Sequence, residues 1–159
     1  PISRTDSKRF FDEAVPNNAG RLLGYGMSII NHGQTPAYKV TTAQKAVVLA
    51  NGEETTFQWD LPDVPPRDLV LHPGQATEST VIVTDPTGGM EQMVGVANQS
   101  AVIKGHSAIW VWGRVDYEDI YGSPHWARFR YFISKLQIRV GTMAVADEGN
   151  DADQDRPKA

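Results

Sequence analysis

Cysteine is absent from this 159-residue chain. That absence excludes a disulfide scaffold, a thiolate metal centre and a cysteine nucleophile together, and leaves the redox compartment open. Long hydrophobic runs are missing too: none approaches the roughly 18 apolar residues a bilayer crossing needs, and no signal peptide is visible. A large charge of one sign is also lacking. The formal charge of −4 is mild, so it gives no nucleic-acid footprint. Most of it is local, since Asp147, Glu148, Asp151, Asp153 and Asp155 face only Arg156 and Lys158 after residue 141. No phosphate-binding glycine loop and no nucleophile elbow occur.

What is present is strand periodicity. It is clearest at 106–135, which reads as one long hairpin. Ile109, Val111, Val115 and Tyr117 alternate with Trp110, Trp112, Arg114, Asp116 and Glu118, the period of two that a pleated strand imposes. After Tyr121-Gly122-Ser123-Pro124, Ala127, Phe129, Tyr131 and Ile133 alternate with Trp126, Arg128, Arg130 and Phe132. A turn centred near Gly122 or Ser123 sets Asp116 and Glu118 opposite Arg128 and Arg130, pairing acid with base across the strands.

Upstream, residues 1–19 are polar, mixed in charge and broken by Pro16, and read as a lead-in to the domain. Leu23, Tyr25, Met27 and Ile29 mark a first core strand, interrupted by Gly24 and Gly26. Asn31 to Ala37 is a turn, in which Pro36 pushes Thr35 toward extended geometry. A second strand runs over 38–49, and Asn51-Gly52 closes it tightly. Pro62, Pro65 and Pro66 make 56–67 irregular surface or an edge. Another strand follows His72-Pro73-Gly74. Residues 90–104 carry Met90, Met93, Val94, Ala97, Ala101 and Val102 at helical spacing, with Gly105 as the cap. A final strand is expected within 136–145, and an acidic disordered tail over 147–159. Short strands between Pro/Gly turns with one helical crossing predict a mainly β domain over 20–146, an antiparallel sandwich.

Three segments together resemble a group of uncharacterised bacterial membrane-anchored proteins: 31–40 (NHGQTPAYKV), 71–74 (LHPG) and 110–131 (WVWGRVDYEDIYGSPHWARFRY). Asn31, Gly33, Thr35, Pro36 and Ala37 match their Asn-x-Gly-x-Thr-Pro-Ala turn. Gly113, Arg114, Tyr117, Asp119, Gly122, His125 and Phe129 match their Gly-Arg-x-x-Tyr-x-Asp hairpin, and 150–153 matches a closing Asn-x-Ala-Asp. The resemblance spans about residues 22–153 and implies an immunoglobulin-like domain behind an N-terminal transmembrane anchor. The chain opens on Pro1 rather than methionine, so the expectation is a trimmed or processed chain whose anchor lies upstream. The group transfers no activity, cofactor or oligomeric state.

Three site readings compete. Asp116, Glu118, Asp119, His125, Arg128 and Arg130 offer carboxylates and an imidazole within acid/base reach, but read more simply as structural cross-strand pairs on a solvated face, with His125 pinning the hairpin through Asp119. Trp110, Trp112 and Trp126 share a face with Phe132. They form a binding strip for sugars or apolar ligands if exposed, and a packing layer under the 90–104 helix or the N-terminal segment if buried. His32, His72, His106 and His125 are scattered at no metal-ligand spacing, and no cofactor is implied.

The resulting expectation is a non-enzymatic interaction domain with an unidentified protein partner, membrane-associated only through its missing anchor. The alternative is a small-ligand or carbohydrate-binding module using the Trp strip. A remote third is an enzyme using the hairpin carboxylates and His125.

Overall fold

A computed structural model describes residues 2–14, 21–56, 58, 60–83, 96–140 and 142–153. Its strands are β1 (Ile2–Ala14), β2 (Arg21–Asn31), β3 (Tyr38–Ala50), β4 (Ala76–Ile82), β5 (Ser107–Glu118), β6 (Pro124–Ile133) and β7 (Ala144–Val145), with helices α1 (Val96–Lys104) and α2 (Lys135–Val140). They form two antiparallel sheets, ordered β1-β2-β4 and β3-β5-β6-β7. The chain is mainly β.

One core lies between the sheets. Met27 and Ile29 of β2 and Val81 of β4 meet Val40, Ala46 and Val48 of β3, Ile109, Val111 and Val115 of β5, and Phe129 and Ile133 of β6. These are alternate residues of each strand, so the period of two in the sequence is the inward face of the pleat. Val102 of α1 closes the same cluster.

Helix α1 ends as Gly105 dictates. With φ of 85°, Gly105 donates its N–H to Val102 O at 3.0 Å, and His106 donates to Ala101 O at 2.8 Å. These are the two bonds of a Schellman cap, which needs the left-handed conformation glycine adopts without strain. The helix described begins at Val96; residues 90–95, expected to open it, lie outside the described residues.

Four expectations are corrected. Residues 2–14 are a strand, paired with β2 from Ile2↔Asn31 to Ala14↔Arg21 around an irregularity between Thr5 and Arg9. Ladder bonds come from the backbone, so a polar segment can be an edge strand. The expected last strand within 136–145 is instead α2 followed by the two-residue β7. The segment after 147 docks on β6 as far as Asp153: Arg128 N–H donates to Asp151 O at 2.7 Å, and Ala152 bridges Ala127.

The fourth concerns hairpin register. Asp116 pairs with Trp126, Glu118 with Pro124, and Arg114 with Arg128. The centre is therefore Tyr121, and the expected pairing of Asp116 and Glu118 with Arg128 and Arg130 does not form. The cause is the loop. Asp119 Oδ1 accepts the N–H groups of Tyr121 (2.8 Å) and Ser123 (2.9 Å), Asp119 N–H donates to Ser123 O, and Gly122 N–H donates to Asp119 O, both at 3.0 Å. An aspartate that caps its own turn selects the turn, and the turn selects the register.

Candidate functional site

The hairpin and the segment that docks on it gather the charged candidates Asp116, Glu118, Asp119, His125, Arg128 and Arg130. His125, the second residue of β6, lies directly across from Tyr117, and the two rings stack with centroids 5.3 Å apart. Its Nε2 lies 3.3 Å from Asp119 Oδ2, and its Nδ1 lies 2.5 Å from Asp153 Oδ2. Burial opposes the imidazolium charge, but hydrogen bonds to Asp153 and Asp119, reinforced by their charges, outweigh it and raise the His125 pKa above its ordinary value. The Asp119 carboxyl is held below its usual range, mainly by the backbone donor at Ser123, with Tyr121 and His125 adding to it against a small burial penalty.

The other charged residues find separate partners. Arg128 makes a two-pronged pair with Asp151, Nε to Oδ1 at 2.8 Å and Nη2 to Oδ2 at 2.6 Å, which raises its pKa further. Arg114 pairs with Asp116 at 2.5 Å, and Glu118 with Lys39 at 2.9 Å. Arg114 and Arg128 face one another across the strands, normally an unfavourable arrangement. Each has its own carboxylate, and both guanidiniums lie over the Trp126 ring, 5.8 and 4.9 Å from its centroid.

The tryptophans do not form an open strip. Trp112 is 5 % exposed, and its Nε1–H donates to Asp60 O at 3.0 Å. Val47, Leu49 and Leu61 complete a small second cluster around it. Lys45 anchors the same segment through Asp60 at 2.6 Å, a pair that lowers the Asp60 pKa despite a small opposing burial effect. The cover is thus the proline-rich segment, not α1, whose Val102 enters the core on the opposite face of the sheet. Trp110 is half-buried against Phe132 (5.2 Å) beneath Arg130, whose guanidinium is 4.8 Å from the indole. Burial lowers the Arg130 pKa, with Glu148 and Glu54 opposing the shift.

The motif at 31–40 proves to be a knot. Asn31 is 1 % exposed. Its Nδ2 donates to Leu71 O (2.8 Å) and Thr35 O (2.9 Å), and its Oδ1 accepts the Gly33 N–H (2.8 Å). Its backbone joins Gln75 O and Gly74 N–H. One side chain therefore ties the 31–37 turn to the 71–75 turn. Asn150 does similar work at the other end, accepting the Arg130 N–H (2.9 Å) and donating to Ala146 O (2.8 Å).

Among the described residues no cluster of three or more His, Asp or Glu is arranged to hold a metal ion; His32, His72 and His106 sit exposed in turns. The feature that strand parity overlooked is the hairpin tip. Ile120 is 46 % and Tyr121 85 % exposed, on a loop whose backbone Asp119 holds in place. Its sequence signal was an Ile-Tyr pair inside a turn, where apolar residues have no strand face to bury.

No protein-family model matches the chain, and no curated protein matches it. Among solved structures the chain is similar to a Bordetella pertussis protein provisionally named ApaA, with a TM-score of 0.45 and 16% sequence identity over 84% of this chain and 94% of that one. A likeness at that level carries no functional argument. Among the described residues no helix is long and apolar enough to cross a membrane.

Proposed function

We propose that this chain is a non-enzymatic protein-interaction domain of a membrane-anchored bacterial protein, presenting the β5–β6 hairpin tip to its partner. The observation that carries this reading is the tip itself, an exposed aromatic and an exposed aliphatic on a loop pinned by four hydrogen bonds around Asp119. A pre-ordered loop loses little conformational freedom on binding, and tyrosine supplies large contact area with few rotors. We read the strand order β1-β2-β4 and β3-β5-β6 as the A-B-E and C-F-G sheets of an immunoglobulin-like sandwich, with β7 appended. In that frame the tip is the F–G loop, one of the positions such folds use for recognition. The anchor is inferred from the family resemblance.

The carbohydrate-module reading loses support, because Trp112 is covered and the Trp126 ring already carries two guanidiniums. The enzyme reading loses support because His125 already has Asp153 and Asp119 at its two nitrogens, and the other Asp119 oxygen is taken by the Tyr121 and Ser123 amides.

The test is site-specific photo-crosslinking from position 121 in the full-length protein in its native membranes. We expect a discrete protein adduct that Ile120→Asp abolishes while the melting temperature is unchanged. A specific turnover that survives Tyr121→Ala but disappears in folded His125→Ala protein would overturn the proposal.

A further inference from the structure

Residues 146–153 lie along the edge of β6 as a strap. Ala146 N–H donates to Arg130 O (3.0 Å), Arg130 N–H to Asn150 Oδ1 (2.9 Å), and Arg128 N–H to Asp151 O (2.7 Å). Gly149, with φ of 81°, turns the strap back onto the strand, and a Cβ there would press on the Arg130 side chain. Among the described residues, the last side-chain contact of the strap is Asp153 to His125. We infer that the strap is a proton-operated latch, closed when the His125 ring is an imidazolium and released from its Asp153 end when the ring is neutral.

The geometry supplies the reason. His125 has a carboxylate at each nitrogen, Asp153 at Nδ1 and Asp119 at Nε2. Only the imidazolium has a proton for both; the neutral ring has a single N–H, so one carboxylate must then face a lone pair. The two carboxylates do not share that loss equally. Asp119 keeps the amide donors of Tyr121 and Ser123. Asp153 has His125 at Oδ2, and its buried Oδ1 has no hydrogen-bond partner among the described residues. Pinned by the Tyr121 and Ser123 amides, Asp119 cannot withdraw from Nε2, so the one proton of the neutral ring is drawn to that side. The strap, at the other nitrogen, is the side that lets go.

The other groups around His125 do not change this sign. Tyr117 of β5 presents its ring face. On neighbouring rungs Glu118 is paired with Lys39, Arg114 with Asp116, and Arg128 with Asp151. The raised pKa of His125 agrees with a doubly bonded imidazolium. Release frees the Arg128 and Arg130 amides on the strand edge, donors that an added strand from a partner can use.

The experiment is amide hydrogen exchange between pH 5.5 and 8.5 on the whole chain. Arg128 and Arg130 are followed relative to Val111 in the central strand β5, which cancels the intrinsic pH dependence of exchange. We expect their relative protection to fall as pH rises, by about tenfold for each unit by which the His125 pKa is raised. In His125→Gln and Asp153→Asn proteins it should be low and independent of pH. Wild-type protection of Arg128 that tracks Val111 at every pH overturns the latch. So does the same pH-dependent opening in His125→Gln protein, which would place the proton elsewhere.

Discussion

Gly113 on β5 and Phe129 on β6 are direct cross-strand partners, and the Phe129 ring occupies the space a Cβ on Gly113 would need. The same Cβ would stand 2.6 Å from Ala43 O on β3. The glycine therefore exists so that a core aromatic can lie flat across the central strand, with β3 close on its other side. Gly113→Ala should destabilise the protein by about 2–3 kcal/mol through overpacking. In urea unfolding the midpoint should fall while the slope stays the same.

Phe129 is 3 % exposed in the main core, and Tyr131 packs against its edge with ring centroids 6.1 Å apart. Phe129→Ala should cost about 3–4 kcal/mol, as aromatic truncation in a packed core does. Tyr131→Ala should cost less, because its ring is half-buried. The order of the two losses in denaturant unfolding is the check.

Asn31 offers a sharper contrast. Asn31→Ala removes the side-chain partner of the Thr35 carbonyl and the Gly33 amide and leaves Leu71 O with the Ala37 N–H alone, and should cost about 2–3 kcal/mol. Asn31→Asp should be worse at neutral pH, since a carboxylate facing Leu71 O and Thr35 O sets acceptor against acceptor. Acidification should recover part of that loss, because a protonated carboxyl regains one donor. Thermal melts of both variants at pH 4 and pH 7 decide it.

Stopping the chain at Asp147 removes Asn150, Asp151 and Asp153 with all their hydrogen bonds to β6. A disordered tail would leave the melting temperature unmoved. The docked strap predicts a loss of about 2 kcal/mol, or roughly 5 °C for a domain of this size.

The pH dependence has two limbs of opposite sign. His125 has a raised pKa in the folded chain, so its contribution is fully present below the ordinary histidine value of 6.5 and is lost as pH climbs through the raised one. Asp119 has a lowered pKa, so its contribution is present above the ordinary 3.8 and is lost as pH falls through the lowered one. Urea midpoints should decline on both sides of a mildly acidic maximum. His125→Gln should abolish the decline above pH 6.5 and leave the acid limb in place.

Trp112 is buried under the proline-rich segment, whereas Trp110 and Trp126 are half-buried. Acrylamide should therefore quench only part of the indole emission efficiently. Trp112→Phe should remove a protected fraction, and Asp60→Ala should make that fraction more accessible by freeing the segment from Lys45.

The sequence by itself determined the inward faces of the core strands, since alternation in a half-buried strand is a direct record of which side is dry. It determined the Gly105 cap as well, because the left-handed position admits few other residues. The tryptophans' cover was not legible. Nothing in Pro62, Pro65 or Pro66 says that the segment folds back over Trp112 instead of standing away from it. Nor was the docking of 147–153, whose acidic, low-hydrophobicity composition is that of a disordered tail. Its hold on β6 comes from backbone bonds and from charge partners that only folding brings near. Hairpin register belonged to the tertiary structure too. A shift of two residues leaves every side chain on the same face, so alternation cannot distinguish the candidates. The Asp119 turn and the fit of Phe129 over Gly113 do, and both exist only once the strands have met.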